Sequence, residues 1–307
     1  SFGSLDKVLF TGSREPFRLP DLDLALRDGR ARIDGDFGTI GIKADGAGRL
    51  RDGFSGILAA VAPQPRVAGC DLGRASLYGT VRISGERPRF AGPLRLASLA
   101  CDSGRVTLGR TALAVDARID PAFDGVDAQI RGDGARPALA GAAAAESLGG
   151  MVRLGYRRGV IAARYDLAAR AVRSGAAQAR QLATTGTLRA ANGFARVEAD
   201  GDLSARGLAP GVDVDAALND AAKAASGTLA APMLAQVRAA LGREGPGSRL
   251  AARYIWRGGP DGPTLVVPQA ILSGASGDVL FGLSRLRVAP GSDSIRLSGN
   301  FSTGGAG

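Results

Sequence analysis

The chain has 307 residues, with 46 glycines, 39 lysines and arginines against 29 carboxylates, a formal net charge of +10, and no histidine. Without an imidazole, Ser-His-Asp and Cys-His catalysis are excluded, and two cysteines cannot complete a four-ligand Cys/His zinc site. Apolar residues make up 45% and are patterned, which excludes wholesale disorder, and no glycine period of three marks a collagen.

The dominant signal along the chain has period two, the mark of strands with one apolar and one wet face. It begins at Leu22–Leu26 and Arg30–Phe37. In the stretch 74–85, Ala75, Leu77, Val81 and Ile83 oppose Arg74, Ser76, Thr80, Arg82 and Ser84. The pattern returns at Leu113–Ile119, Val152–Tyr156, Ile161–Ala169 and Phe194–Leu203. It returns again at Arg249–Arg257, with Leu250, Ala252, Tyr254 and Trp256 on one face, and at Ser294–Ser302, with Ile295, Leu297 and Phe301. Asp28-Gly29, Asp124-Gly125, Arg158-Gly159 and Asn192-Gly193 read as hairpin turns, because these residues tolerate positive φ. Adjacent strands are therefore expected to be antiparallel, in a meander of about twenty strands. One segment differs. Asp213–Ala225 and Ala231–Arg243 are alanine-rich with apolar residues at helical spacing, and Gly227 and Gly242 read as their stops. The expected organisation is residues 1–210 as repetitive sheet, 211–245 as a helical pair inserted in it, and 246–307 as strands that continue it.

Other signals count for less. The arginines are spread singly, with no block of like charge and no recognition module, so the basic balance reads as a solvated face and no nucleic-acid partner is expected. Ser4-Leu5-Asp6-Lys7 has the form of an acylation dyad but lacks its partner motifs. The paired aspartates (Asp21 and Asp23, Asp34 and Asp36, Asp200 and Asp202, Asp213 and Asp215) do not supply the converging oxygens that calcium needs. No cofactor and no metal site is expected, and no enzymatic activity. Cys70 and Cys101 pair in an oxidising compartment, and in a reducing one each serves as a small apolar residue. There is no run of eighteen apolar residues. The first residue is Ser1 and the last strand pattern runs almost to Gly307, so the chain reads as a piece of a longer protein.

The apolar positions are mostly Ala, Val, Leu and Ile, with Gly79, Gly85, Gly201 and Gly299 among them. Such a lining is thin for a dense core and suits a curved trough, although composition alone favours a plain β-sandwich or solenoid with its own closed core. The serial amphipathic strands, the helical pair running into Ala231-Pro232-Met233-Leu234, the stretch Ser248-Arg249-Leu250-Ala251-Ala252-Arg253-Tyr254 and the closing Ile295-Arg296-Leu297-Ser298-Gly299-Asn300-Phe301 resemble the YdbH branch of the AsmA-like proteins, whose relatives include TamB. The resemblance implies a mainly β fold: a long repetitive antiparallel meander curled into an open, taco-like or solenoid-like β-groove with a small helical insertion. It implies a non-catalytic periplasmic bridge in a Gram-negative bacterium. Such a bridge is anchored in the inner membrane through a segment absent from this chain and carries phospholipids between the inner and outer membranes. The expected partners are phospholipid acyl chains and the two membranes. The lining expected for the groove is Leu77, Val81, Ile83, Leu113, Val115, Val197, Leu203, Leu250, Tyr254, Trp256, Ile295, Leu297 and Phe301. The alternatives are a TamB-like assembly scaffold, with outer-membrane or periplasmic proteins as partners, or a passive β-solenoid spacer. A carbohydrate-binding or adhesive solenoid ranks last, because aromatic platforms are sparse.

Overall fold

The computed structural model describes residues 18–67, 69–191, 193, 195–228, 245–260, 262–290 and 295–303, with the backbone alone described at 245, 281, 289–290 and 295–303. In chain order the strands are β1 (Asp23–Gly35), β2 (Gly38–Arg49), β3 (Ser55–Ala62), β4 (Arg66–Val67), β5 (Cys70–Leu72), β6 (Ala75–Ser84), β7 (Arg87–Leu96), β8 (Leu99–Cys101), β9 (Val106–Leu108), β10 (Thr111–Ile119) and β11 (Gly125–Ala135). They continue with β12 (Ala138–Leu139), β13 (Ala143–Ala144), β14 (Ser147–Arg157), β15 (Val160–Ser174), β16 (Ala177–Ala191) and β17 (Arg196–Pro210). After the helix α1 (Val212–Ala224) come β18 (Arg249–Gly258), β19 (Thr264–Ser273), β20 (Val279–Pro290) and β21 (Ile295–Thr303).

All 21 strands form one antiparallel sheet that does not close on itself. Fifteen long strands lie in the order β1-β2-β3-β6-β7-β10-β11-β14-β15-β16-β17-β18-β19-β20-β21. The other six are two or three residues long and form a second, narrow row, β4-β5-β8-β9-β12-β13, whose end joins β15 at Arg173 and Ser174. The expected twenty-strand track is thus a fifteen-strand wall with a low lip. At about 4.8 Å per strand the wall is about 67 Å long.

A crease separates wall from lip. Each hairpin β3/β6, β7/β10 and β11/β14 runs through a break before continuing as β4/β5, β8/β9 and β12/β13. The breaks carry residues that interrupt a strand: Pro63 and Pro65, Gly73, Ser98, Gly109, and Arg136-Pro137 with Arg136 at φ 51°. The breaks are stitched to one another by backbone bonds, Gly73 N–H to Ser98 O (2.9 Å), Gly109 N–H to Ala135 O (2.7 Å) and Glu146 N–H to Arg170 O (2.9 Å). The line passes through β15 at Ala171 (φ 49°) and through β17 at Gly207 (φ 64°), where the pairings with Arg180 drop out of the ladder without a register shift. Positive-φ residues and glycines let a sheet bend across its strands, and here they line up.

The expected turns fare unevenly: Gly193 (φ 62°) is in a turn while Asn192 lies outside the described residues, and between β10 and β11 the positive φ falls on Phe123 (φ 58°), with Gly125 already the first residue of β11. Arg158-Gly159 (φ 47° and 79°) and Gly85-Glu86 (φ 57° and 60°) are two-residue turns with both φ positive. The second places Gly85 in a turn rather than on the apolar face. Asp28-Gly29 is not a turn: it is a bulge inside β1, where the register shifts between Leu26 and Gly29. Asp28 stays there because its N–H donates to Asp45 Oδ1 (2.7 Å) and its carboxylate binds Lys43 Nζ (2.7 Å) and Arg30 Nη2 (3.0 Å). The hairpin turn itself is Asp36-Phe37. The helix α1 occupies the first of the two predicted helical segments, and the second lies outside the described residues. Asp213 and Asp215 sit in its first turn, where the helix dipole favours carboxylates, and Gly227 (φ 83°) follows its end. Asp213 N–H donates to Gly175 O (2.9 Å), holding the helix beside the β15–β16 turn, and the helix buries none of its residues. The pairing of β17 with β18 runs from Val197↔Gly258 to Arg206↔Arg249, so the sheet continues across the excursion.

In the lip, Cys70 and Cys101 are register partners on β5 and β8 and are joined by a disulfide. The bridge spans 31 residues, which corresponds to a stabilisation of about 3–4 kcal/mol in the chain-entropy picture. Reduction is expected to accelerate amide hydrogen exchange in residues 66–108 while β14–β18 keep their protection. Uniform loss of protection would show instead that the lip is an integral part of the wall.

Candidate functional site

Directly opposed residues of antiparallel neighbours point to the same face. The register therefore draws lines across the whole sheet. One line runs Ala31, Ile42, Ala60, Leu77, Leu94, Leu113, Gly132, Gly150, Leu167, Thr184, Leu203, Ala252, Ala270, Leu283, Phe301. It crosses all fifteen long strands without a charge and with one polar residue, Thr184. A second line, four positions further from the crease, runs Leu26, Gly46, Gly56, Val81, Phe90, Ala117, Ala128, Leu154, Ala163, Leu188, Ala199, Trp256, Leu265, Val288, Leu297 and is wholly apolar.

A third line follows the crease: Ala62, Ala75, Leu96, Thr111, Gly134, Leu148, Ala169, Leu182, Ala205, Leu250, Leu272. It holds five of the buried side chains, Ala62, Leu96, Thr111, Ala169 and Ala205, at 6, 8, 3, 8 and 3% exposure. Across the break, Leu108 of the lip sits where a Cβ on Gly134 would be, 2.8 Å from its Cδ1. The lip thus folds toward the apolar side over the crease. The apolar rows beyond it are half-buried, and no large side chain among the described residues is below 2% exposure. The accessible surface is 19976 Å², whereas a closed monomer of this mass exposes about 12,000 Å². The apolar face is left open along the unclosed sheet.

Ten of the predicted lining residues have described side chains, and all ten are on this face. Leu77, Leu113 and Leu203 are in the first line, Val81 and Trp256 in the second and Leu250 on the crease. Val115 and Tyr254 lie between the two, through Val115↔Ile130 and Gly201↔Tyr254. Ile83 joins Leu19 and Phe54 in a small cluster at the β1 end of the wall, and Val197 continues the face beyond the second line through Ala190↔Val197. For Ile295, Leu297 and Phe301 the register of β21 is given, with Leu297 in the second line and Phe301 in the first.

Within this face sits one hydroxyl cluster that the sequence reading missed. Tyr165 Oη and Tyr254 Oη are 2.6 Å apart, Thr184 Oγ1 is 2.8 Å from Tyr254 Oη, and Tyr165 Oη donates to Asp200 O at 3.4 Å. Tyr165 comes from β15 and Tyr254 from β18. The strands between them, β16 and β17, present Gly186 and Gly201, whose missing side chains leave the space: a Cβ on Gly201 would be 3.1 Å from Tyr165 Oη. The two phenols lie along the groove floor and strap four strands together. A Tyr, a Gly pair and a Tyr in register was the available signal, but it appears only once the strand pairing is known.

The family model described as "YdbH-like: Intermembrane phospholipid transport protein YdbH" matches residues 1–306. The chain belongs to the YdbH-like family. No curated protein and no solved structure matches it. In this YdbH-like chain the opposite face of the sheet is charged, and its ion pairs are cross-strand and exposed, such as Arg89–Asp116 and Arg157 with Asp120 (2.8 Å) and Asp127 (2.8 Å). The hydrogen bond from Arg89 holds the Asp116 carboxyl below the ordinary carboxylate range. Exposed pairs of this kind contribute little stability and keep the face wet. No group of three or more metal-ligating side chains occurs among the described residues, and no helix there is long and apolar enough to cross a membrane.

Burial, followed by the hydrogen bond to Tyr254, pushes the Tyr165 phenol well above its ordinary value of 10.0. A raised folded-state value means that its contribution to stability is intact below the unfolded phenol range and is lost as pH rises above it. Chemical denaturation at pH 8 and pH 11 is expected to show a loss of stability on raising the pH that shrinks in Tyr165→Phe. An equal loss in the variant would show that the cluster does not control the alkaline limit.

Proposed function

We propose that the apolar face carries phospholipid acyl chains lengthwise across the strands, as part of a periplasmic bridge between the inner and outer membranes, and that the chain has no catalytic role. The observation that carries this reading is the unbroken line from Ala31 to Phe301, free of charge through every long strand. Exposing an acyl chain of about sixteen carbons to water costs on the order of 10 kcal/mol at about 0.8 kcal/mol per methylene. A lipid therefore crosses an aqueous gap only along continuous apolar cover. Small aliphatic side chains and glycines give many similar weak contacts and no deep trap, so the acyl chain moves by small steps. The open side of the groove leaves the phosphate headgroup in water. The family's printed description, an intermembrane phospholipid transport protein, supports the same substrate class. The predicted lining residues act as the contact surface, and attachment to the inner membrane is assigned to a segment outside this chain.

Organic extraction of the purified chain followed by mass spectrometry is expected to release phospholipid. Leu113→Asp and Leu203→Asp place one carboxylate each in the first line, where the wall is already half-exposed, so the fold should persist by circular dichroism. Lipid recovery from these variants is expected to fall at least several-fold, and their ability to support phospholipid transport in cells is expected to be lost. Wild-type lipid content in both variants would overturn the assignment of this face.

A further inference from the structure

The charged face carries a feature that the lipid groove does not use. A cavity of about 870 Å³ opens there over β7, β10, β11 and β14–β17. A twisted sheet is saddle-shaped, so the back of a groove is concave along the other diagonal. The floor of this cavity is the register pair Gly155↔Ala162, where two neighbouring strands present almost no side chain. Beside it, Arg153 and Arg164 are direct partners on β14 and β15, and Arg189 is the partner of Ala162 on β16. Like charges directly opposite destabilise a sheet, so this arrangement calls for a counter-charge.

The carboxylates of the lining make no ion pair with these three arginines. Asp116 is taken by Arg89, Asp127 by Arg157 at 2.8 Å and Glu198 by Arg257 at 3.7 Å. Asp200 accepts from Thr187 Oγ1 at 2.6 Å. Arg153 donates only to Gln129 (3.3 Å), and Arg164 and Arg189 make no ion pair among the described residues. Arg153, Arg164 and Arg189, none of them in an ion pair among the described residues, therefore surround the hole left over Gly155 and Ala162, with Glu198 opposite Arg189 on β17. The geometry points to a binding site for a phosphate-bearing anion on the back of the sheet, held by Arg153, Arg164 and Arg189 over Gly155 and Ala162. Guanidinium forks match phosphate oxygens, and a diphosphate or a lipid headgroup fits a hole open on one side. The site is separated from the acyl-chain groove by the thickness of the sheet.

The test is calorimetric titration of the purified chain with inorganic pyrophosphate at low salt, together with flotation on phosphatidylglycerol vesicles. Pyrophosphate is expected to bind saturably, more weakly as salt rises. The double variant Arg164→Gln/Arg189→Gln is expected to weaken it at least about tenfold, the ordinary worth of a charged hydrogen bond. Ala162→Glu, which fills the hole and adds a carboxylate, is expected to abolish binding. If vesicle flotation falls in the same variants, the bound anion is a lipid headgroup; if flotation is unchanged while pyrophosphate is lost, it is a soluble phosphate. Absence of saturable pyrophosphate binding, or equal affinity in the wild type and both variants, would overturn the site. Extractable lipid on the apolar face is expected to be unchanged in these variants, so failure here and failure of the groove reading are told apart.

Discussion

Everything in this molecule depends on parity. Backbone pairing in an antiparallel sheet forces directly opposed residues onto one face, and a slip of one residue on any strand would turn that strand's apolar side outward. Across fourteen successive pairings of long strands the parity is kept, even where β1, β19 and β20 carry bulges that shift the register. One apolar residue per strand would not make a continuous surface. A strand-by-strand agreement of parity does, and the wet face follows from it automatically.

The sheet is then held by an economy unlike that of a closed domain. Burial is sparse: the crease carries one line of buried residues, a small cluster at Leu19, Phe54 and Ile83 another, and the greater part of the apolar wall is left half-covered. Such a wall is stable because each long strand between β1 and β21 shares a ladder of backbone bonds with two neighbours, in the manner of a repeat array. The crease supplies what the ladder lacks, a line of apolar contacts running at right angles to the strands. The Tyr165–Tyr254 strap adds a second transverse tie at the point where β17 and β18 are joined by the longest connection.

Most of the wall was legible in the sequence because period-two alternation is a local property. Residues 75–83 and 249–257 announce their faces without reference to any neighbour. The lip was not legible. Its strands are two or three residues long, too short for alternation to register. Its breaks, at Pro63, Pro65, Gly73, Gly109 and Pro137, read singly as ordinary loop residues. Only their alignment across neighbouring hairpins makes a crease, and alignment is a property of the register. Asp28-Gly29 misled for the complementary reason: the pair tolerates positive φ equally in a turn and in a bulge, and cross-strand ties to Lys43 and Asp45 decided between them. The hydroxyl strap and the arginine-rimmed hole are likewise products of pairing, since Tyr165 and Tyr254, or Arg153 and Arg189, have no sequence relation to one another.

The excursion between β17 and β18 has one more consequence. Because the two strands pair in register on either side of it, the intervening chain contributes nothing to the geometry of the ladder. The entropy of closing a flexible connection grows only logarithmically with its length, about 0.6 kcal/mol per doubling. This junction is therefore a port at which evolution can lengthen, shorten or replace a whole appendage while the strands beside it keep their pairing.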